Sequence, residues 1–149
     1  MKTESVQYDE FYEEYTLDLE DRRSKANVLA KYLNGEAIHG GTASPGVAVG
    51  RAVVIKKDED ILKVKDGAVI ISRTASPKLA IILSKANGIA TENGGQASNT
   101  MVFARTYGMP AVVGIPGLTE IIRDGDIIRI DGKKGTIEIK ERMTLHSLK

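Results

Sequence analysis

The sequence contains no cysteine, so the protein has no disulfide, no thiol nucleophile and no thiolate metal ligand. No apolar run approaches the length of about 18 residues that marks a membrane-spanning helix. The first residues, Met1 to Ser5, carry no apolar signal region. We therefore expect a cytoplasmic protein without a membrane partner.

The sequence also lacks an excess of either acidic or basic residues. The protein has 21 basic and 20 acidic residues, which are interspersed and leave a net charge of +1. Such a balance does not point to nucleic acid or to an anionic membrane as a partner. Asp58, Glu59 and Asp60 form an acidic cluster without the ligand spacing of a calcium loop, and we interpret it as a solvated bend. We expect no metal site and no cofactor.

The 149 residues, of which 42% are apolar, suffice for one domain with a sizeable core. Residues 1–36 differ from the rest, since the first 21 hold eight acidic residues and four of the seven aromatic ones. We predict an acidic, aromatic arm and helix over 1–36, the domain over 37–140, and a polar tail over 141–149. The helix either packs on the domain's own surface, or belongs to a partner-docking arm or linker remnant.

Short apolar runs alternate with helical patterns along the domain. Turn residues bound these runs, which is typical of strands and helices in α/β layers. Strands are predicted at 47–55, 68–72, 88–90, 111–113, 127–130 and 136–139. Helices are predicted from Ser76 and Pro77 to about Ala86, from Ser98 or Asn99 to Tyr107, and at 118–123.

The most informative stretch runs from Thr91 to Arg105. A strand enters the Gly94–Gly95 turn, and Ser98 or Asn99 then supplies a helix N-cap. Paired glycines allow close approach to the backbone, and a helix start offers unpaired N–H groups and a positive dipole end. The combination predicts a place that holds an anion, above all a phosphate.

This stretch resembles the mobile, swivelling phosphohistidine domain of phosphoenolpyruvate-utilising enzymes, such as pyruvate phosphate dikinase, phosphoenolpyruvate synthase and enzyme I of the sugar phosphotransferase system. The blocks 42–50 and 73–77 resemble the same family, and the similarity covers about 38–139. It implies a swivelling β/β/α fold, here with an N-terminal helical extension. Eight residues of this stretch and of the segment that follows it, up to residue 114, fall on the family pattern: Gly94, Gly95, Ser98, Ala104, Arg105, Gly108, Pro110 and Gly114.

The sequence departs from the family at the position that matters most. The family's phosphorylated histidine falls on Asn99, and the threonine two residues earlier falls on Ala97. An imidazole nitrogen has an in-plane lone pair that attacks phosphorus, whereas the lone pair of the Asn amide is delocalised into its carbonyl. We therefore predict a protein that is inactive as a phosphoryl carrier. The only histidines, His39 and His146, lie outside the matched helix start.

The resemblance implies phosphate contacts at the Gly94–Gly95 turn and at Ser98. It also implies that Arg73 and Arg105 could clamp phosphoryl oxygens. A solvated Arg73 and a structural Arg105 are the alternatives. The implied partner is a nucleotide- or phosphoenolpyruvate-binding phosphotransferase subunit or domain, and catalysis by this protein alone stays open. The alternative function is a non-covalent anion-binding, small-molecule-binding or protein-docking module on the same fold.

Overall fold

The computed structural model describes residues 23, 24, 26–95 and 98–142. The predicted arm up to residue 22 and the tail from 143 lie outside the described residues. Helix α1 covers residues 26–33. The strands are β1 (Ile38–His39), β2 (Gly41–Ser44), β3 (Val47–Ile55), β4 (Ala68–Ser72), β5 (Ala86–Thr91), β6 (Ala111–Val113), β7 (Ile127–Asp131) and β8 (Thr136–Glu141). The further helices are α2 (Asn99–Thr106) and α3 (Leu118–Ile121), and three 3-10 segments cover Asp58–Lys63, Pro77–Ile81 and Leu83–Lys85.

The eight strands form one sheet in the order β1-β8-β7-β3-β4-β5-β6-β2. Strands β3, β4, β5 and β6 run parallel, and the other pairs are antiparallel. Strand β3 belongs to both halves, because its first part, from Val47 to Arg51, pairs with β7 and its second part, from Ala52 to Ile55, pairs with β4. The long strand thus joins an antiparallel half to a parallel half.

The two outer strands of this order, β1 and β2, are joined through the single residue Gly40. Its N–H donates to the Gly135 carbonyl at 2.8 Å. A Cβ at this position would lie 2.6 Å from the Ile115 side chain and 2.7 Å from the Val113 carbonyl, so only glycine fits. The continuous segment from β1 to β2 therefore closes the sheet on itself and leaves two layers of strands.

The parallel half is buried on both faces. In β4, Val69 and Ile71 contribute to a core with β7, β8 and α3, whereas Ala68 and Ile70 face a second core with α2 and the 3-10 segments. This alternation follows from the two-residue period of a strand. The layers are strand, strand and helix, which confirms the predicted β/β/α fold class. A partly buried Tyr32 packs α1 against the first core.

The predicted helix from Pro77 to Ala86 is wrong. Ser76 caps the segment as expected, with its Oγ accepting from the Lys78 N–H at 3.3 Å, but the segment consists of two 3-10 turns, and β5 already begins at Ala86. A 3-10 helix rises about 2.0 Å per residue and an α-helix about 1.5 Å. The few connecting residues thereby extend further back along β4. Similarly, α3 ends at Ile121, two residues before the predicted end.

The acidic cluster is not a solvated bend, because Asp60 is buried. Its carboxylate binds the Lys63 ammonium at 2.9 Å and accepts from the Lys56 and Lys57 N–H groups at 2.8 and 3.0 Å. The Lys63 side chain, followed by the Lys56 N–H, holds the pKa of Asp60 at about 2, although burial opposes this shift. The cluster thus starts a 3-10 turn. Among the described residues, no group of acids or histidines could hold a metal ion.

Past the end of β8, Arg142 binds the domain. Its guanidinium contacts the buried Asp126 carboxylate through two nitrogens, at 3.0 and 2.7 Å, and donates to the Ile121 carbonyl at 2.6 Å. Asp126 also accepts from the Arg123 N–H at 2.9 Å. This bidentate pair fixes the end of α3 to the residues beyond β8. Across the described part of the protein, no helix has both the length and the apolar character needed to cross a membrane.

Candidate functional site

The candidate site lies where the parallel strands β4 and β5 end. The backbone turns outward after Ser72 and after Thr91, and the two turns are bonded to each other. The Glu92 N–H donates to the Ser72 carbonyl at 3.0 Å, and the Asn93 N–H donates to the Arg73 carbonyl at 2.8 Å. The carboxyl ends of parallel strands are where open α/β sheets bind ligands.

Gly94 gives the turn its shape. Its φ of +110° lies in the region that disfavours side chains, and a Cβ there would still have ordinary contacts, 3.8 Å from Thr91 Oγ1 and 3.9 Å from the Ala75 Cβ. Backbone conformation, rather than crowding, thus calls for glycine here. Gly95 follows without a left-handed φ, and its carbonyl accepts from the Ser98 N–H at 3.3 Å.

Helix α2 begins directly after this turn. Ser98 is the N-cap, with extended backbone and with its Oγ accepting from the Met101 N–H at 3.3 Å. Asn99 is the first helical residue, and its side chain is exposed. The interior-facing residues come next: Met101 is fully buried, and buried Thr100 donates to the Ser76 carbonyl at 3.4 Å. The side chain of residue 99 therefore projects into solvent at the amino end of the helix.

The two candidate arginines have different surroundings. Arg73 is exposed at the start of the turn that is bonded to Asn93, next to Gly94. Arg105 points elsewhere, since its guanidinium donates to the Ala43 carbonyl of β2 at 2.9 Å. That bond ties α2 to the edge of the sheet. The structure thus places the glycine turn, the helix start and Arg73 together, and it gives Arg105 a contact with the sheet.

Glu92 is the best-bonded side chain of the site, although no motif in the sequence points to it. Its carboxylate accepts from the Gly117 N–H at 3.2 Å, from the Thr119 N–H at 3.0 Å and from the Thr119 hydroxyl. Burial raises the pKa of Glu92, but these donors and the charge of Arg73 outweigh burial and leave the pKa below its ordinary value. Gly117 is the N-cap of α3 and offers no side chain to cap the helix. The missing cap is the only local signal that could have pointed to a distant carboxylate.

The Thr91 hydroxyl lies beneath the turn. Thr91 is fully buried, and its Oγ1 has no hydrogen-bond partner among the described residues. A buried hydroxyl without a partner is costly, and such groups in native proteins call for an explanation. A Cβ at residue 94 would lie 3.8 Å from this oxygen, so the glycine turn covers the hydroxyl at the end of β5.

Residues 64–135 match the family model described as "PEP-utilising enzyme, mobile domain", where PEP is phosphoenolpyruvate. This part of the protein is a mobile domain of the PEP-utilising enzyme family. The matched range contains the glycine turn, α2 and the following strand β6. The resemblance inferred from the motifs is confirmed.

Similar proteins support this assignment. The mobile domain is 34% identical over 95 residues to a probable phosphoenolpyruvate synthase of Archaeoglobus fulgidus. The aligned segment covers 64% of this chain and 13% of that protein. The mobile domain is 40% identical over 107 residues to a rifampicin phosphotransferase of Bacillus cereus, which covers 72% of this chain and 12% of that protein. The present sequence thus spans about one eighth of the length of these relatives.

A solved structure shares the fold at lower sequence similarity. The aconitase X structure of Thermococcus kodakaraensis superposes with a TM-score of 0.56 at 17% identity, which covers 72% of this chain and all of that one. At this identity the likeness concerns the fold alone. The mobile domain therefore has a fold that also occurs in a protein of low sequence similarity, together with the sequence pattern of the PEP-utilising family around the start of α2.

Proposed function

We propose that this mobile domain belongs to a cytoplasmic phosphotransferase system and does not carry a phosphoryl group covalently. The observation that carries the proposal is the position of Asn99, exposed as the first residue of α2 where the family resemblance implies histidine. An acceptor must form a bond to phosphorus while the donor's bond to phosphorus breaks. The Asn amide has no free lone pair on nitrogen for that step.

The other parts of a phosphate site are consistent with a retained, non-covalent contact. The first N–H groups of a helix and its positive dipole end stabilise an anion, and Gly94 lets that anion approach the backbone. Exposed Arg73 could supply charge from the neighbouring turn. In this proposal the domain presents its α2 start to a nucleotide- or PEP-binding partner subunit or domain without taking the phosphoryl group.

The test is covalent labelling of the full-length protein. The protein is incubated with phosphoenolpyruvate or ATP, together with the catalytic parts of a related phosphoenolpyruvate synthase, and its intact mass is followed. We expect no acid-labile phosphoryl addition at residue 99. An addition that peptide mapping assigns to Asn99 or its immediate neighbours would contradict the proposal. Mapping also separates such an addition from labelling of His39, which lies exposed in β1.

A companion variant tests whether the carrier geometry is retained. Asn99→His restores an imidazole at the first position of α2, and we expect it to install acid-labile labelling with the same donors. Asn93→His is the matched control, since it places an imidazole in the adjacent turn but outside the helix start. If Asn99→His stays unlabelled while a related histidine-bearing domain is labelled, the α2 start has lost its carrier geometry.

The second candidate is reversible anion or small-molecule binding. The exposed turn at Gly94 and Gly95, directly before the start of α2, favours it, because an anion there can approach both the backbone and the first N–H groups of the helix. Titration with inorganic phosphate, followed by amide chemical shifts, tests this function. Shifts confined to Gly94, Gly95 and Asn99, and weakened by Arg73→Ala, would support it. Unchanged shifts at these amides would reject it.

A further inference from the structure

The sequence contains three Asn-Gly pairs: Asn34–Gly35, Asn87–Gly88 and Asn93–Gly94. In such a pair the glycine nitrogen is unhindered and can attack the amide carbon in the side chain of the preceding asparagine. The attack requires a free glycine N–H and an asparagine side chain that can turn towards it. The three pairs share this chemistry and differ in their surroundings, so the fold decides which of them reacts.

The first pair is held at the end of α1. The Gly35 N–H donates to the Tyr32 carbonyl at 3.1 Å, and the Asn34 N–H donates to the Ala30 carbonyl at 3.0 Å. The attacking nitrogen is therefore engaged in the turn that ends the helix. This turn must open before the reaction can begin.

The second pair is part of β5. Gly88 pairs with Val69 of β4 and is buried, and a Cβ there would lie 2.9 Å from the Ile130 side chain. The Asn87 side-chain amide donates to the Val49 carbonyl at 3.3 Å. Strand pairing fixes the backbone, and the amide contact fixes the side chain. Attack here would require β5 to leave the sheet locally.

The third pair lies in the glycine turn before α2, and both residues are exposed. The Asn93 backbone N–H donates to the Arg73 carbonyl at 2.8 Å, and this bond does not involve the side chain. In the described part of the protein, neither the Asn93 side-chain amide nor the Gly94 N–H makes a hydrogen bond. This pair alone meets both requirements without prior opening.

We propose that Asn93 is a site of spontaneous deamidation within the glycine turn. The Gly94 nitrogen gives its proton to solvent and bonds to the amide carbon of the Asn93 side chain. The bond from that carbon to the side-chain nitrogen breaks, ammonia leaves with a proton from solvent, and a five-membered imide remains. Water then opens the imide at either carbonyl and yields aspartate or isoaspartate. The net reaction consumes one water and releases one ammonia, without an oxidant or a reductant.

The product changes the candidate site. Aspartate at this position adds a carboxylate next to Glu92 and close to the start of α2, where it competes with an external anion for the same positive potential. Isoaspartate also adds a methylene to the backbone of a turn whose shape depends on Gly94. Deamidation would therefore reduce whatever anion affinity the turn has. The modification itself does not depend on the turn binding an anion.

The experiment is peptide mapping of the full-length, folded protein during incubation in mildly alkaline buffer. The mass gain of the amide-to-acid change is followed separately at Asn34, Asn87 and Asn93. We expect Asn93 to convert at least about tenfold faster than either other asparagine, which corresponds to about 1.4 kcal/mol of local opening free energy at the slower sites. Equal rates at Asn93 and at either other site in the folded protein would overturn the proposal.

Two controls separate fold from sequence. In denaturant all three pairs are equally free, so the rate differences should disappear; if Asn93 keeps its lead there, local sequence and not the fold selects it, and the proposal fails. Asn93→Gln lengthens the side chain by one methylene and should remove the fast phase from the intact mass. A fast phase that persists in this variant would place the reaction elsewhere and would likewise overturn the assignment.

Discussion

Two helices, α2 and α3, begin at the same end of the sheet, and their starts are occupied differently. At α3 the Gly117 and Thr119 N–H groups donate to the Glu92 carboxylate, which belongs to the domain itself. At α2 a single serine hydroxyl, that of Ser98, accepts one N–H, and the first residue, Asn99, is exposed. One helix start has an internal anion, and the other has only a neutral cap.

The difference indicates that the two helix starts have different roles: the start of α3 stabilises the fold, and the start of α2 is left for a ligand. A carboxylate at a helix start satisfies unpaired N–H groups and the dipole at once, which makes α3 a fixed support for the turn that contains Glu92. A neutral cap at α2 leaves positive potential for an anion from outside. Substitutions at the two ends of α3 and at the start of α2 should therefore differ in their effect on stability.

The largest effect is expected at the far end of α3, where Arg142 reaches Asp126 and the Ile121 carbonyl. Asp126→Ala leaves a nearly buried guanidinium without its carboxylate, and we expect the free energy of unfolding to fall by about 3–5 kcal/mol. Urea denaturation measures it. Glu141→Ala, at an exposed residue one position before Arg142, is the control and should change little. Equal losses in the two variants would show that the buried pair is not what fixes α3.

The next effect concerns the start of α3. Glu92→Gln keeps the size of the side chain but replaces the carboxylate, whose two oxygens accept from the Gly117 and Thr119 N–H groups, with a neutral amide. Because one of these donors then loses its acceptor, we expect the free energy of unfolding to fall by about 1–3 kcal/mol. Amide hydrogen exchange should show faster exchange at Thr119. Glu120→Gln, on the exposed face of the same helix, is the matched control. If both variants lose equally little, the Glu92 bonds do not support α3.

The hydrogen bonds that Glu92 accepts also make the free energy of unfolding depend on pH, and the sign of this dependence is definite. The folded-state pKa of Glu92 lies below its ordinary value of 4.5, so the carboxylate contributes stability above that value. This contribution is lost as the pH falls from 4.5 through the lower folded-state pKa. The difference in stability between the wild-type protein and Glu92→Gln should therefore shrink on acidification. A difference that grows below that pH would contradict the lowered pKa.

These long-range bonds mark the limit of what the sequence could predict. The runs at β3 and β4, the turn at Gly94 and the cap at Ser98 are local signals, because strand period, glycine conformation and capping each depend on a few neighbouring residues. They suffice for the fold class and for the position of Asn99. Glu92 and Thr119 are 27 positions apart, and no local pattern joins them.

The wrong predictions have the same origin. The segment after Ser76 carries a helix-start signal, but the distance it must cover between β4 and β5 is a property of the whole sheet. Asp60 belongs to an acidic run that suggests solvent, yet two backbone N–H groups and Lys63 compensate its burial. In both cases tertiary structure overrode a correct local tendency.

A smaller effect is expected at the start of α2. Ser98→Ala removes the hydroxyl that accepts from the Met101 N–H, and we expect a loss of about 1 kcal/mol in unfolding free energy. Thermal unfolding, followed by circular dichroism, measures it. Ser84→Ala, at an exposed serine of a 3-10 segment, is the control. A loss as large as that of Glu92→Gln would show that Ser98 stabilises the start of α2 as strongly as Glu92 stabilises the start of α3, and would contradict the proposed difference between the two helix starts.

The smallest effect is expected at Asn99 itself. Its side chain is exposed and makes no hydrogen bond to the described part of the protein, so Asn99→Ala should leave the unfolding free energy within about 0.5 kcal/mol of wild type. If residue 99 supports the helix, its substitution by alanine should lower the unfolding free energy as Ser98→Ala does. If it serves only for contact with another molecule, the substitution should leave the stability of the free domain unchanged. Denaturation of Asn99→Ala beside Ser98→Ala decides between them. A loss at residue 99 that equals or exceeds the loss at residue 98 would assign the asparagine a structural role in α2 and would remove the main argument for a site at this helix start.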